Sequence, residues 1–381
     1  HGIEACVLVT ENGGLGHTSA IYATDEEVID RFSTAIRTGR ILVNAPTAVG
    51  ALGGIYNSMT PTFSLGCGTW GGSNTTDNIN YRNLLNVKAV SRRQAPPQWF
   101  RVPSDTYFNA GSLANLSQVG ARRVLLVTDA DTEERGVPDL LRPHLGDAAV
   151  HIFADILPEP DEAQIRAGIA TIDGFDPDTL VAVGGGSELD AEKAMRLLHE
   201  SPEHVAHYPD QQHSCRLIAV PTTAGTGSEV SPAAVVTVGD RKVTLVDYSL
   251  VPDMAVVDPT LTLTMPPSVT ADTGIDALTH ALEAYVSIFA SPYTDAFCLQ
   301  AIHLILESLP RAWRDGSDLE ARTQMANAAT IAGLAFSNAF VGVNHALAHA
   351  VGARFGIPHG RANAIFLPHV RRYNASLPSK F

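Results

Sequence analysis

The sequence predicts an α/β fold: a parallel-sheet, nucleotide-type domain followed by an all-helical domain. Two observations carry this. From Val119 onward, short apolar runs of strand character alternate with segments of helical spacing. Strands separated by helices of about 10 to 15 residues imply parallel strands joined by right-handed crossovers. After "MPPSVTAD" the strand runs stop and only helix-period segments remain.

Taken in order, "RRVLLVTD" reads as a buried strand ending in a polar turn, and "TEERGVPDLLRPHL" is helical in spacing. "AAVHIFAD" is a strand, "DEAQIRAGIATI" a helix, and "DTLVAVGGG" a strand running into a glycine turn. "CRLIAVPTTAGTGSE" gives another strand and turn, and "AAVVTVGDRKVTLVD" a hairpin on Gly239-Asp240. The helical segments are "GIDALTHALEAYVSIF", "SPYTDAFCLQAIHLILESL", "EARTQMANAATIAGLAFSNA" and "VNHALAHAVGARF". Upstream, residues 1–90 are rich in Gly, Asn and Thr and carry two dense loops, "TENGGLGHTS" and "LGCGTWGGSNTTDN". Residues 91–115, with Pro96, Pro97 and Pro103 and few periodic apolar positions, read as a linker. The expected domains are therefore 1–90, an α/β domain over 116–264 and a helical domain over 265–381.

Composition narrows the function. With 45% hydrophobic and 17% charged residues in 381, the chain is an ordinary globular sequence. A formal net charge of −14 argues against a nucleic-acid or anionic-membrane surface. No apolar run reaches the ~18 residues of a membrane span, and no secretory signal is visible. The four cysteines, Cys6, Cys67, Cys215 and Cys298, form neither a disulfide framework nor a CxxC site, which fits a reducing cytoplasm. The opening at His1 and the ending "NASLPSKF" read as those of an internal fragment.

Two constellations carry chemistry. In "GIDALTHALEAY", Asp276 and His280 are four apart, so a helix projects both from one face. His345 and His349 in "NHALAHAVGARFGIPHG" share that relation, and His359 follows Pro358, which reads as ending the helix and starting a loop. One carboxylate with imidazoles suits a divalent transition metal rather than Ca²⁺ or Mg²⁺. Only one of His345 and His349 fits the shell comfortably; the other is left beside the metal as an acid/base group. The plain alternative is a solvated Asp276/His280 pair and core histidines. The small apolar flanks "ALTHAL" and "ALAHAV" weigh against it, because polar groups there need partners. The second constellation is "VAVGGGSELDAEKAM": Gly184, Gly185, Gly186 and Ser187 between strand and helix place bare amides at a helix N-terminus, a phosphate cradle unless the turn is merely tight. "PTTAGTGSE" adds a second hydroxyl-rich turn. Asp129, closing "VLLVTD", sits where a carboxylate accepts a ribose 2′-hydroxyl and repels a 2′-phosphate, favouring NAD over NADP.

"AVPTTAGTGSEV", "DTGIDALTHALEAY" and "GVNHALAHAVGARFGIPHGRANA" together resemble the iron-dependent (group III) alcohol dehydrogenases. The resemblance implies a dehydroquinate synthase-like fold, Fe²⁺ (with Zn²⁺ the alternative) held by Asp276, His280, His345 and His359, and His349 as the proton-relay residue. It places Gly184, Gly185, Gly186, Ser187, Asp190, Thr222, Thr223 and Lys242 where that family holds NAD. "TENGGLGHTSAIYA", "RILVNAP", "LGCGTWGGSNTTDN" and "LLNVKAV" resemble the end of a CoA-acylating acetaldehyde dehydrogenase domain. A fusion of the two through "PPQWFRVP" resembles the bifunctional aldehyde-alcohol dehydrogenases. That implies interconversion of acetaldehyde and ethanol here, acetyl-CoA reduction in the intact protein, and self-association into filaments. It also implies that the catalytic cysteine and NAD half of the aldehyde domain lie upstream, that the helical domain is incomplete, and that His17 has no thiol to assist. Cys67 reads as structural, since no basic residue accompanies it locally. The rival readings are a zinc polyol or glycerol dehydrogenase of the same fold, and a filament subunit with secondary catalysis. The His-rich "HESPEHVAHYPDQQHSC", with His199, His204, His207, His213 and Cys215, reads as a solvated loop rather than a second metal site.

Overall fold

The computed structural model describes residues 1–53, 57–62, 64–79, 100–103, 105–201, 215–239 and 241–376. The chain forms two compact units, His1–Ala95 and Pro96–Phe381.

The first unit begins with helix α1 (Gly2–Gly13). A parallel pair, β1 (Gly16–Ile21) and β2 (Thr38–Val43), brackets α2 (Glu26–Ala35), and the one-turn α3 (Thr47–Gly50) follows. A short antiparallel pair, β3 (Ser64–Leu65) and β4 (Asn78–Ile79), closes the unit. The Asp25 carboxylate accepts the amides of Glu27 and Val28 and starts α2, a cap worth about 1 kcal/mol. Phe32, Ile36, Leu42 and Ala51 form the small core. "TENGGLGHTS" is not one loop: "TENG" continues α1 and "GHTS" opens β1.

The second unit is built on β5 (Asp105–Phe108), β6 (Arg123–Val127), α4 (Ala130–Glu134), α5 (Val137–Leu141), β7 (Ala149–Phe153), α6 (Glu162–Phe175), β8 (Thr179–Gly184), α7 (Gly186–Glu200) and β9 (Arg216–Pro221). The antiparallel hairpin β10 (Ala233–Val238) and β11 (Arg241–Val246) follows, then β12 (Met254–Val257). The six-stranded sheet is parallel, in the order β5-β12-β9-β8-β6-β7. On β6, Val124 and Leu126 join one core with Leu116 and Leu141. Leu125 and Val127 join another with Ile165, Ile172 and Met195. Burial on both faces is why this strand is uniformly apolar rather than alternating.

Three expectations shift. Residues 91–115 are not all linker, because Asp105–Phe108 pairs with β12 as the edge strand and Leu113 and Leu116 are buried in the sheet core. The short β12 has no counterpart in the sequence reading. The helical stretch around Gly136 divides into α4 and α5, because that glycine adopts φ +72. The Gly239-Asp240 hairpin forms as expected, though Asp240 itself lies outside the described residues.

The rest is helical: α8 (Pro267–Val286), α9 (Pro292–Arg314), α10 (Leu319–Ala339), α11 (Val343–Phe355) and α12 (His359–Ala375). Ala277, Ala281, Ala301, Ala328 and Ala332 are buried where α8, α9 and α10 pack; side chains this small let the axes approach closely. Among the described residues, no single helix is long and apolar enough to cross a membrane.

Candidate metal centre and active-site cleft

Asp276 and His280 lie one turn apart on α8, and His345 lies in the first turn of α11. His359 is the first residue of α12, not part of a loop. Gly356, at φ +64, ends α11, and Pro358 is the N-cap of α12, a place a proline tolerates because no intrahelical amide bond is lost there. Gly360 lets α12 approach α8: a Cβ there would stand 2.0 Å from the carbonyl oxygen of Asp272, one turn before Asp276.

The three histidines converge on Asp276. His280 Nδ1 is 3.9 Å from Oδ2, while His345 Nε2 and His359 Nε2 are 3.7 and 3.4 Å from Oδ1. Asp276, His280 and His345 offer ligand atoms all within 4.8 Å of one another. His280 Nδ1 and His345 Nε2 are buried with no hydrogen-bond partner among the described residues. Two buried imidazole nitrogens facing one carboxylate fit a divalent cation, whose coordination satisfies all of them at once.

The charge states follow from this crowding. Burial opposes ionisation of Asp276, yet His280, His359 and His345 hold its carboxyl far below the usual range. Burial pushes His280 down to about 3 against the pull of Asp276. It acts the same way on His345, but Asp276 and Glu283 together outweigh it and raise that imidazole to about 9. Burial and the neighbouring His359 and His345 push half-buried His349 down to about 4. The rings of His349 and His359 lie 4.9 Å apart.

A cleft of about 290 Å³ runs from these side chains to the N-terminus of α7, with Gly186, Ser187, Lys242 and Phe336 on its walls. The sheet order explains its place. The chain leaves β6 for β7 on one side and returns through β8 on the other, so the topology reverses between β6 and β8, where open α/β sheets bind ligands beyond the strand C-termini. Asp129 follows β6 at this point, and Gly184, Gly185, Gly186 and Ser187 join β8 to α7. The Thr222 amide donates to Gly184 O at 2.8 Å, and the Thr223 side chain lies where a Cβ on Gly185 would be 3.3 Å away. Lys242 Nζ pairs with Glu159 Oε1 at 2.5 Å. Asp190 lines the cleft, but its oxygens accept the Ser228 hydroxyl at 2.6 Å and the Val235 amide at 2.9 Å, tying the β10 hairpin to α7. Asp129 is also engaged: it caps α4 through the amide and hydroxyl of Thr132, at 2.9 and 2.6 Å.

Known proteins resemble this chain in sequence and fold. Residues 103–259 match the family "Iron-containing alcohol dehydrogenase", and residues 270–380 match "Fe-containing alcohol dehydrogenase family, C-terminal". The chain is 40% identical to the NADPH-dependent butanol dehydrogenase of Clostridium saccharobutylicum, over 72% of this chain and 74% of that protein. The chain belongs to the iron-containing alcohol dehydrogenase family. The alcohol dehydrogenase from Oenococcus oeni, another structure similar to this one, superposes with a TM-score of 0.70 at 34% identity, covering 73% of this chain and 76% of that one. Aldehyde-alcohol dehydrogenase 2 of Entamoeba histolytica is 41% identical over 100% of this chain, residues 1–90 included. The chain spans 46% of that protein's length, about half.

In this iron-containing alcohol dehydrogenase chain the sequence reading missed two residues. Glu283, the turn after His280 on α8, accepts His345 Nδ1–H at 2.6 Å and the amides of Asn344 and His345 at 2.7 and 3.2 Å. That bond keeps a proton on Nδ1 and turns Nε2 toward Asp276, so Nε2 is the nitrogen that would give up its proton to bind a metal. Asn363 donates to Asp276 Oδ1 at 2.6 Å and accepts from the Asn344 amide group at 2.8 Å. The available signal for Glu283 was its place on the face of Asp276 and His280; Asn363 offered none beyond lying one turn past His359. Cys67 does have a cation within electrostatic reach, the buried Arg40. That guanidinium donates to the Thr18 hydroxyl and the carbonyls of Gly66 and Thr76. His17 is exposed. Of the His-rich stretch, His199 pairs with Asp173 at 3.1 Å and Cys215 is buried, while His204, His207 and His213 lie outside the described residues.

Proposed function

We propose that this chain interconverts a small aldehyde and its alcohol, acetaldehyde and ethanol, using NAD and a divalent metal, iron or alternatively zinc. Asp276, His280, His345 and His359 would hold the metal. The observation that carries the reading is the pair of unpartnered imidazole nitrogens beside Asp276 at one end of a cleft whose other end is the α7 N-terminus. When bound, the metal supplies Lewis-acid polarisation of the substrate oxygen and NAD accepts the hydride. The protein does the rest. His349, neutral at pH 7 and lining the cleft, takes the hydroxyl proton during oxidation and returns it during reduction. Phe336, Phe340 and Val341 line the cleft with apolar surface. Gly184, Gly185, Gly186, Ser187, Asp190, Thr222, Thr223 and Lys242 position the dinucleotide, and Asp129 takes the ribose. The test is metal analysis of anaerobically purified protein together with acetaldehyde-dependent NADH oxidation. Metal-free protein with undiminished turnover would overturn the assignment.

The match through residues 1–90 supports a parent protein that also reduces acetyl-CoA to acetaldehyde. Acetyl-CoA-dependent NADH oxidation by the intact protein tests this. Self-association into filaments rests on the same resemblance and is tested by sedimentation. A glycerol or polyol dehydrogenase of this fold leaves residues 1–90 without explanation, and a comparison of kcat/KM for ethanol and glycerol separates the two.

A further inference from the structure

The cradle between β8 and α7 is not bare. Glu188, 6% exposed, turns back from the first turn of α7 and accepts the Gly185 amide on Oε2 at 2.7 Å. A Cβ on Gly184 would lie 2.5 Å from the same carboxylate. An anion of the protein's own thus holds an amide at the helix N-terminus where a phosphate of the dinucleotide would be received. Among the described residues, the charged groups that bear most on it are acids, Asp129 from the turn after β6 and Asp190 on its own helix. The turn after β9 faces this cradle with Thr223, which is uncharged.

We propose that Glu188 makes dinucleotide binding proton-linked: the site accepts the anionic cofactor best when the Glu188 carboxyl is neutral, and NADH binding draws a proton onto it. The inference rests on the NAD reading of this cleft. Ionised, Glu188 would add a negative charge beside Asp129, Asp190 and the incoming pyrophosphate, and it competes for the Gly185 amide. Protonated, it removes the repulsion and releases that amide. Burial, with Asp129 adding to it, pushes the carboxyl up to about 7, so the change falls within the working range of an enzyme.

The experiment is calorimetric titration of this 381-residue chain with NADH from pH 6 to 8.5, in two buffers of different ionisation enthalpy, for the unaltered protein and for Glu188→Gln. The expected result is proton uptake on binding near pH 7.5 and a Kd that rises by up to about tenfold per pH unit above pH 7. Both effects disappear in Glu188→Gln, which binds more tightly than the unaltered protein at pH 8. Adenosine, which carries no phosphate, should bind without the pH dependence. NADH binding that is pH-independent in the unaltered protein, or equally pH-dependent in Glu188→Gln, overturns the role of Glu188 while leaving the NAD reading intact. No NADH binding at any pH overturns both. The pH profile of the unaltered protein decides the matter even if the variant does not fold.

Discussion

Glu283→Gln isolates what the carboxylate behind His345 contributes. The two oxygens of Glu283 receive three donors: the Asn344 amide on Oε1, and the His345 amide and Nδ1–H on Oε2. Glutamine keeps the shape but offers one oxygen and an NH₂ group. If its oxygen stays with His345, the NH₂ meets the buried Asn344 amide, and that unsatisfied donor costs about 1–3 kcal/mol. If its NH₂ turns toward His345, the imidazole must adopt the other tautomer. In the neutral ring that binds a metal, the remaining proton then sits on Nε2, toward Asp276, where the ligand lone pair is needed. Either outcome weakens the site. The loss expected for an outer partner of this kind is about 10–100-fold in metal affinity, or about 1.4–2.7 kcal/mol. The assay is competition with a chelating dye, with thermal melts in chelator and in added metal to separate folding from binding. The melting temperature gained on adding metal should shrink in the variant. A metal Kd within twofold of the unaltered protein, in a variant that melts normally, would refute the reasoning.

His280→Ala and His359→Ala should each lose metal and alcohol oxidation together, read by metal content and NADH formation, because three ligands hold labile Fe²⁺ poorly. His349→Ala should keep its metal and lose about 10²–10⁴ in kcat; loss of metal there would mean that His345 and His349 exchange roles. Asp129→Asn retains an oxygen for the Thr132 amide and so spares the α4 cap, yet removes the charge facing a 2′-phosphate. The NADH/NADPH ratio of kcat/KM should fall by about tenfold, and an unchanged ratio places the ribose contact elsewhere. Glu188→Gln should stabilise the fold at high pH. The native carboxyl titrates at about 7 against 4.5 unperturbed, so the folded state binds the proton more tightly and stability falls as pH rises from about 4.5 to 7. At about 1.4 kcal/mol per tenfold change in proton affinity, this destabilisation is on the order of 3 kcal/mol above pH 7. Denaturant unfolding should show a gain for the variant at pH 8 and little difference at pH 4.5, and equal curves at pH 8 would contradict the burial argument.

The parts of this protein readable in sequence are those whose physics is local. The strand–helix alternation from Arg123 to Pro221, the glycine turn after β8 and the hairpin at Gly239 each follow from spacing and backbone freedom within a dozen residues. So do the i,i+4 pairs Asp276/His280 and His345/His349. Where the chain meets itself at long range, the tertiary structure decided. Asp105–Phe108 is a strand only because β12 pairs with it, and neither four-residue segment carries a pattern that separates it from a loop. The start of α12 at His359 depends on Gly360 seating against Asp272. Glu283 and Asn363 acquire roles because α8, α11 and α12 converge, and Glu188 because the α7 turn brings it back onto Gly185. Sequence spacing determined which ligand types share a helix face. Which imidazole faces Asp276, which proton it carries, and which amides remain free were set by contacts between residues distant along the chain, with geometry that no local pattern encodes.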